Sequence, residues 1–215
     1  MALEKTGQSF KTMAITINGT GTLTGVSVGG LPDGIVDTDM LAANAVTAAK
    51  SSGSAKGITM ADQWRLSTDR NLSATTETLD ANWERVDNSS WGQIGTGMTE
   101  SSGIFTFPST GIYLVTFNAT LYSISQTQRY AGVLIDTTTD NSNYIPVATS
   151  YFSGGVSSGS GVYLCGEAKF LFDVTDTTQR KARFRIQTEY ASAAYVDGGS
   201  NESLTVATFI RLGDT

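Results

Sequence analysis

From Gly111 to Tyr122 the sequence reads GIYLVTFNATLY, with Tyr113, Val115, Phe117, Ala119 and Leu121 on every second position. A strand sends alternate side chains to opposite faces of its sheet, so this run turns one face to a core while Thr116, Asn118 and Thr120 point away. Just upstream, Phe105 and Phe107 lead into Pro108-Ser-Thr-Gly111. Proline cannot donate to a ladder and glycine reaches backbone conformations closed to other residues, so the segment turns a corner between two strands.

The same alternation recurs along the rest of the chain. Ala182, Phe184 and Ile186 oppose Lys181, Arg183, Arg185, Gln187 and Glu189. Val162, Leu164, Ala168, Phe170, Phe172 and Val174 form one face of a longer strand, Ala131, Val133 and Ile135 a further face, and Leu204, Val206, Ile210 and Leu212 one face of the last. Roughly seven or eight short strands with no helix between them predict an all-β chain, an antiparallel sandwich or barrel beginning near Asn82.

The front of the chain differs in texture. Residues 12–28 read as a hairpin around Asn18-Gly19, and the Gly29–Gly34 stretch then breaks the sheet. A lone hairpin is marginal in water, so this one is expected to pair with other chains or to dock on a neighbour. Gly19, Gly21 and Gly25 are followed by a strand and a turn, not by the helix that a phosphate cradle requires. Residues 35–56 are Ala-rich and read either as a narrow stem in which chains approach closely or as a flexible linker. A short amphipathic or coil stretch follows over 57–80, anchored by Trp64 and Leu66. The expected organisation is an anchoring hairpin region over 1–34, a short stem or linker over 35–81 and a sandwich head over 82–215.

Composition narrows the chemistry. A net charge of -6 disfavours nucleic acid and anionic membranes as partners. No apolar run approaches the ~20 residues that span a bilayer, and residues 1–8 lack the apolar core of a secretory signal, so neither membrane insertion nor export by that route is expected. The chain has no histidine, which removes the commonest general base and metal ligand, and a single cysteine, Cys165, which leaves no disulfide framework. The reading is a non-enzyme without cofactor.

Several residues admit both a functional and a packing explanation. Trp64, Trp83 and Trp91, with Glu84 or Asp87 nearby, could stack on and hydrogen-bond a sugar, or could simply pack. Asp136, Asp140, Asp173 and Asp176 read as strand ends and turns, although a retaining glycosidase would need two carboxyls about 5 Å apart. Asp136–Asn143 and Asp197–Glu202 gather oxygen atoms that suit either Ca²⁺ or tight turns. Arg180, Lys181, Arg183 and Arg185 could meet anionic groups of a surface glycan, or form the solvated or subunit-facing side of a strand.

The stretch Gly103-Ile-Phe105-Thr-Phe107-Pro108-Ser-Thr-Gly111-Ile-Tyr113-Leu-Val115-Thr-Phe117-Asn resembles the signature of the complement-globular-head and tumour-necrosis-factor-like jelly rolls. Phe105, Phe107, Pro108, Gly111, Tyr113 and Phe117 carry it as signature core positions. The resemblance implies a jelly-roll sandwich that assembles as a homotrimer and binds ligands on its outer surface. Residues 15–50, ITINGTGTLTGVSVGGLPDGIVDTDMLAANAVTAAK, look like the leading part of tail-fibre and related appendage proteins of tailed bacteriophages. Together they imply a virion protein: a trimeric tail fibre or appendage held by other virion proteins at its N-terminal region, attaching through its head to a host glycan or protein. A capsid-decorating, cement or head-fibre protein is the alternative within that class, and a polysaccharide depolymerase the alternative outside it. Residues 122–130, 149–161 and 190–203, full of Tyr, Ser, Gly and Asn, have the composition of adaptable binding loops.

Overall fold

A computed structural model describes residues 57–123, 127–155, 161–191 and 194–215. The expected anchoring hairpin over 1–34, and the part of the expected stem up to residue 56, lie outside the described residues. Described strands are β1 (Met60–Leu66), β2 (Thr68–Asn71), β3 (Thr76–Thr78), β4 (Trp83–Arg85), β5 (Thr99–Ser101), β6 (Ile104–Thr106) and β7 (Gly111–Ser123). They continue with β8 (Gln128–Thr138), β9 (Ile145–Gly154), β10 (Val162–Val174), β11 (Lys181–Thr188), β12 (Ala194–Gly199) and β13 (Val206–Gly213). Every pairing is antiparallel. The expected all-β jelly-roll sandwich is the observed architecture.

The strands form a seven-stranded and a six-stranded sheet. In the first, β10 pairs with β7 along its whole length, from Val162↔Ser123 to Val174↔Gly111. The other edge of β7 is shared, β13 covering Ile112–Asn118 and β12 covering Leu121–Ser123. β1 follows β13, β4 follows β1, and β2 flanks β12. In the second, β11 lies between β8 on one side and β6 and β3 on the other, with β9 beyond β8 and β5 beyond β6.

The core lies between the sheets, and the alternation in β7 selects it: Tyr113, Val115, Phe117, Ala119 and Leu121 are all fully buried. Aromatic rings bridge the layers. Phe117 of β7 stacks on Phe184 of β11 with centroids 4.6 Å apart, and Phe105 of β6 meets Phe209 of β13 at 5.2 Å. Trp83 joins them edge-on at 5.2 Å from Phe105, its indole N–H donating to the Leu79 carbonyl at 2.7 Å.

Residues 57–80 differ from the short amphipathic or coil stretch expected there, because β1 is an interior strand of the seven-stranded sheet, flanked by β13 and β4. Met60, Asp62, Trp64 and Leu66 face inward, and the carboxylate at the second of these positions hides the apolar alternation. Asp62 is nevertheless fully accommodated. Its side chain has no exposed surface and accepts from the Met98 N–H at 2.7 Å, the Trp64 indole at 3.0 Å and Arg85 Nε at 3.1 Å. On the opposite face of β1, the equally buried Arg65 is paired with Glu84 at 2.8 Å and Asp87 at 2.6 Å, and also donates to Asn88 and the Ser200 carbonyl.

The corner after β6 is closed by Tyr113, whose hydroxyl donates to the Ser109 carbonyl at 2.9 Å. Gly111 opens β7 at φ 147°, and a Cβ there would meet Arg211 Nε at 2.4 Å and the Gly213 carbonyl at 2.6 Å, so only glycine fits. Tyr113→Phe keeps the buried ring and removes the tether. It is expected to cost about 1 kcal/mol in urea unfolding.

Candidate functional site

The six signature residues occupy neighbouring places. Phe105 ends its path in the core from β6, Phe107 packs on Tyr113 at 4.7 Å and on Phe172 at 5.5 Å, Pro108 and Gly111 bound the corner, and Phe117 sits under Trp83. These residues fix the sandwich and leave the chemistry to its outer faces and its ends.

The outward face of the seven-stranded sheet is the first of these. Sequence parity singles out Val206, Ile210 and Leu212 on β13, yet the core-facing residues of that strand are Ala207 and Phe209. The apolar set therefore points out. Across the sheet, Leu114 of β7 lies between Ile210 of β13 and Leu171 of β10, and Leu171 is 59% exposed. At the far end of the same face, Tyr122 packs on Tyr163 at 4.7 Å and on Tyr195 at 5.3 Å, with Tyr163 67% exposed. Between the two apolar ends run Thr116, Asn118 and the Glu167–Lys169 ion pair at 2.8 Å. Cys165 lies on this face, exposed, opposite Thr120.

The ends of the sandwich have different roles. Met60 pairs with Arg211, which pairs with Tyr113, so the described chain enters beside Gly111. At the opposite end, Ser123 pairs with both Val162 and Ala194, Gln128 with Gly154, and Thr188 with Ala131. The connections after β7, β9 and β11 thus start and finish together at the end away from the entry. Those connections overlap the three stretches singled out for their loop composition, although residues 122–123, 128–130, 149–154 and 194–199 are strand. Gln128, fully buried, holds this end together. Its Oε1 accepts from the backbone N–H groups of Glu189 and Tyr190 at 3.0 and 3.1 Å, and its Nε2 donates to the Tyr190 carbonyl at 3.1 Å.

Asp197, on β12 near the same end, has its carboxyl pushed up by burial and then by the charge of Asp69. A carboxyl whose folded value lies above its unfolded value keeps a proton in the folded state through the interval between them. Stability therefore falls as pH rises through that interval. Asp197→Asn is expected to raise Tm at about pH 7 and to make no difference near pH 3, where the wild-type group is already protonated in both states.

The remaining candidates resolve one by one. Trp83 is a core residue, Trp64 packs edge-on at 5.7 Å from Phe105, and Trp91 is half-buried. Glu84 and Asp87 are engaged with Arg65. Asp140 caps the β8–β9 turn, accepting from the N–H of Asn143 at 2.7 Å, of Ser142 at 3.0 Å and from the Thr138 hydroxyl at 2.8 Å. These bonds, the Asn143 backbone first, hold its carboxyl far below the usual range. Asp176 likewise caps a turn through Thr178. Asp136 is buried under Arg183 and Arg185, with ion-pair distances of 3.1 and 2.7 Å, and Arg183 covers the Tyr144 ring at 4.3 Å. Lys181 donates to Thr106 and to the Thr177 carbonyl. Among the described residues no group of three or more His, Cys, Asp or Glu side chains is placed to hold a metal ion.

No family model matches the sequence, and no curated protein matches it. Solved structures do. The chain is similar to murine APRIL at pH 8.0, with a TM-score of 0.50 at 12% identity, covering 71% of this chain and 98% of that one. It is also similar to Eiger TNF from S. frugiperda, with a TM-score of 0.51 at 13% identity, covering 73% and 94%. At such identities the likeness is one of fold: the head is a tumour-necrosis-factor-like jelly roll.

Proposed function

We propose that this chain is a homotrimeric virion appendage of a tailed bacteriophage, which binds the host surface through its jelly-roll head without catalysing a reaction. The observation that carries the reading is polarity. The described chain enters the sandwich at one end, and the strand ends on either side of the connections after β7, β9 and β11 lie together at the other. That polarity suits attachment through the end of the sandwich away from Met60.

The outward face of the seven-stranded sheet supports the trimer. Leu114, Leu171, Ile210 and the three packed tyrosines give it apolar area at both ends, and a face of that kind is covered when copies of the chain close around it. The six-stranded sheet then faces out. Weak contacts repeated on three heads multiply through avidity, so no single site need be deep. The link to a virion is supported by the sequence of residues 15–50 and by the order of stem and head.

Electron microscopy of the particles that carry this chain, with a gold-conjugated antibody against the head, tests the reading. Gold on the tail is the expected result. Gold on the capsid faces would instead favour decoration of the shell, and particles without gold would end both.

A further inference from the structure

We propose that the outer face of the six-stranded sheet carries a saccharide-binding platform built on Tyr151, with Tyr130 and Gln187 beside it, that takes a neutral pyranose ring. The inference deepens the attachment role and rests on it for its biological use.

The platform begins with a glycine. Gly132 of β8 lies between Gln187 of β11 and Tyr151 of β9. A Cβ at Gly132 would stand 2.9 Å from both Cδ1 and Cε1 of Tyr151, so the tyrosine ring lies across the bare glycine backbone. Its hydroxyl reaches past that strand and donates to Gln187 Oε1 at 2.9 Å. A side chain held at both its root and its tip loses little further freedom when a ligand arrives. One ring face rests on the sheet while the side chain remains 61% exposed, far more than a packing role needs.

Tyr130 supplies a wall. Its ring stands at 84° to that of Tyr151 with centroids 6.3 Å apart, and the two tyrosines with Gln187 line a shallow groove of about 340 Å³. That volume is at the small end for ligand sites and suits one sugar unit with a substituent.

The chemistry of the groove selects the ligand class. The apolar C–H face of a pyranose lies well on a flat ring, and its hydroxyls find the Gln187 amide, whose Oε1 is occupied and whose Nε2 can donate. The nearby guanidinium groups already have carboxylate partners, Arg129 on Glu189 and Arg183 and Arg185 sharing Asp136, and none of them lines the groove. A quaternary ammonium would want several ring faces around it, and here the second ring is perpendicular to the first. The platform is also on the opposite sheet from the apolar face assigned to assembly, so it stays open in a trimer. The tryptophans, which attract a sugar reading in sequence, have no such exposed and anchored face.

Saturation-transfer NMR on the full chain with methyl glucoside, galactoside and mannoside, and with tetramethylammonium as a control, tests the proposal. At least one glycoside is expected to bind, and tetramethylammonium is not. Tyr151→Ala should weaken glycoside binding on the order of tenfold or more. Tyr151→Phe, which retains the ring but frees it from Gln187, should fall between the two. Thermal melts of both variants establish that the sandwich is intact. Absence of transfer to every glycoside, or undiminished transfer in a folded Tyr151→Ala, would overturn the platform. Either result with the chain still trimeric would leave the appendage reading standing, and glycoside binding by a monomer would do the reverse.

Discussion

Asp62→Ala is expected to destabilise the head by about 3 kcal/mol, whereas Asp62→Asn should lose distinctly less. The alanine removes the acceptor shared by the Met98 N–H, the Trp64 indole and Arg85. Deleting one partner of a buried ion pair leaves an uncompensated charge, with a penalty of about 3–5 kcal/mol when both partners are enclosed. The Arg85 side chain is 37% exposed and can be partly rehydrated, which places the effect at the low end. Asparagine keeps an oxygen for the backbone N–H of Met98 and gives up the charge. Urea unfolding followed by tryptophan fluorescence would read both variants. A loss below about 1 kcal/mol for alanine would mean that the carboxylate does not organise β1 and β4 as described.

Leu171→Asp is expected to convert the proposed trimer into monomers while leaving the sandwich folded. Leu171 lies on the outer face of the seven-stranded sheet, opposite Leu114, and an aspartate there would bring three carboxylates into a dry interface. Ile145→Asp is the matched control. The two residues are almost equally exposed, at 59% and 61%, but Ile145 is on the six-stranded sheet. If exposure alone governed assembly, both changes would act alike; only the first is expected to change the sedimenting mass. Cys165 gives an independent reading, because it shares a face with Leu171. Maleimide labelling should be slow in the wild-type chain and fast in Leu171→Asp, and equal rates would place the interface elsewhere.

The sequence revealed the sandwich where side chains obey a period of two without interruption. β7, β10 and β11 are examples, since every inward position of β7 is apolar or glycine up to Leu121. β1 was hidden because its inward row includes Asp62 and its outward row includes Arg65, two buried charges whose partners lie on segments remote in sequence. Alternation cannot distinguish a polar residue facing water from one facing a counter-ion. β13 shows the reverse case: both of its faces are apolar, and parity alone does not tell which one meets the core and which is left for a partner.

Legibility of candidate sites followed the same rule. The composition of residues 122–130, 149–161 and 190–203 suggested adaptable binding loops, and only the strand registers show that the strands flanking the connections after β7, β9 and β11 end together. The platform on Tyr151 could not be read that way, because it depends on three strands placing Tyr151, Gly132 and Gln187 side by side. The run from Arg180 to Arg185 read as a solvated or subunit-facing strand side that could also meet an anionic ligand, yet Arg183 and Arg185 face Asp136, which is distant in sequence and adjacent in the sheet.

The mass of the intact chain in solution tests the central claim most directly. Sedimentation equilibrium or native mass spectrometry at micromolar concentration is expected to give three times the 22.7 kDa chain mass. A species of 22.7 kDa that persists over that range would contradict an apolar sheet face closed by copies of itself.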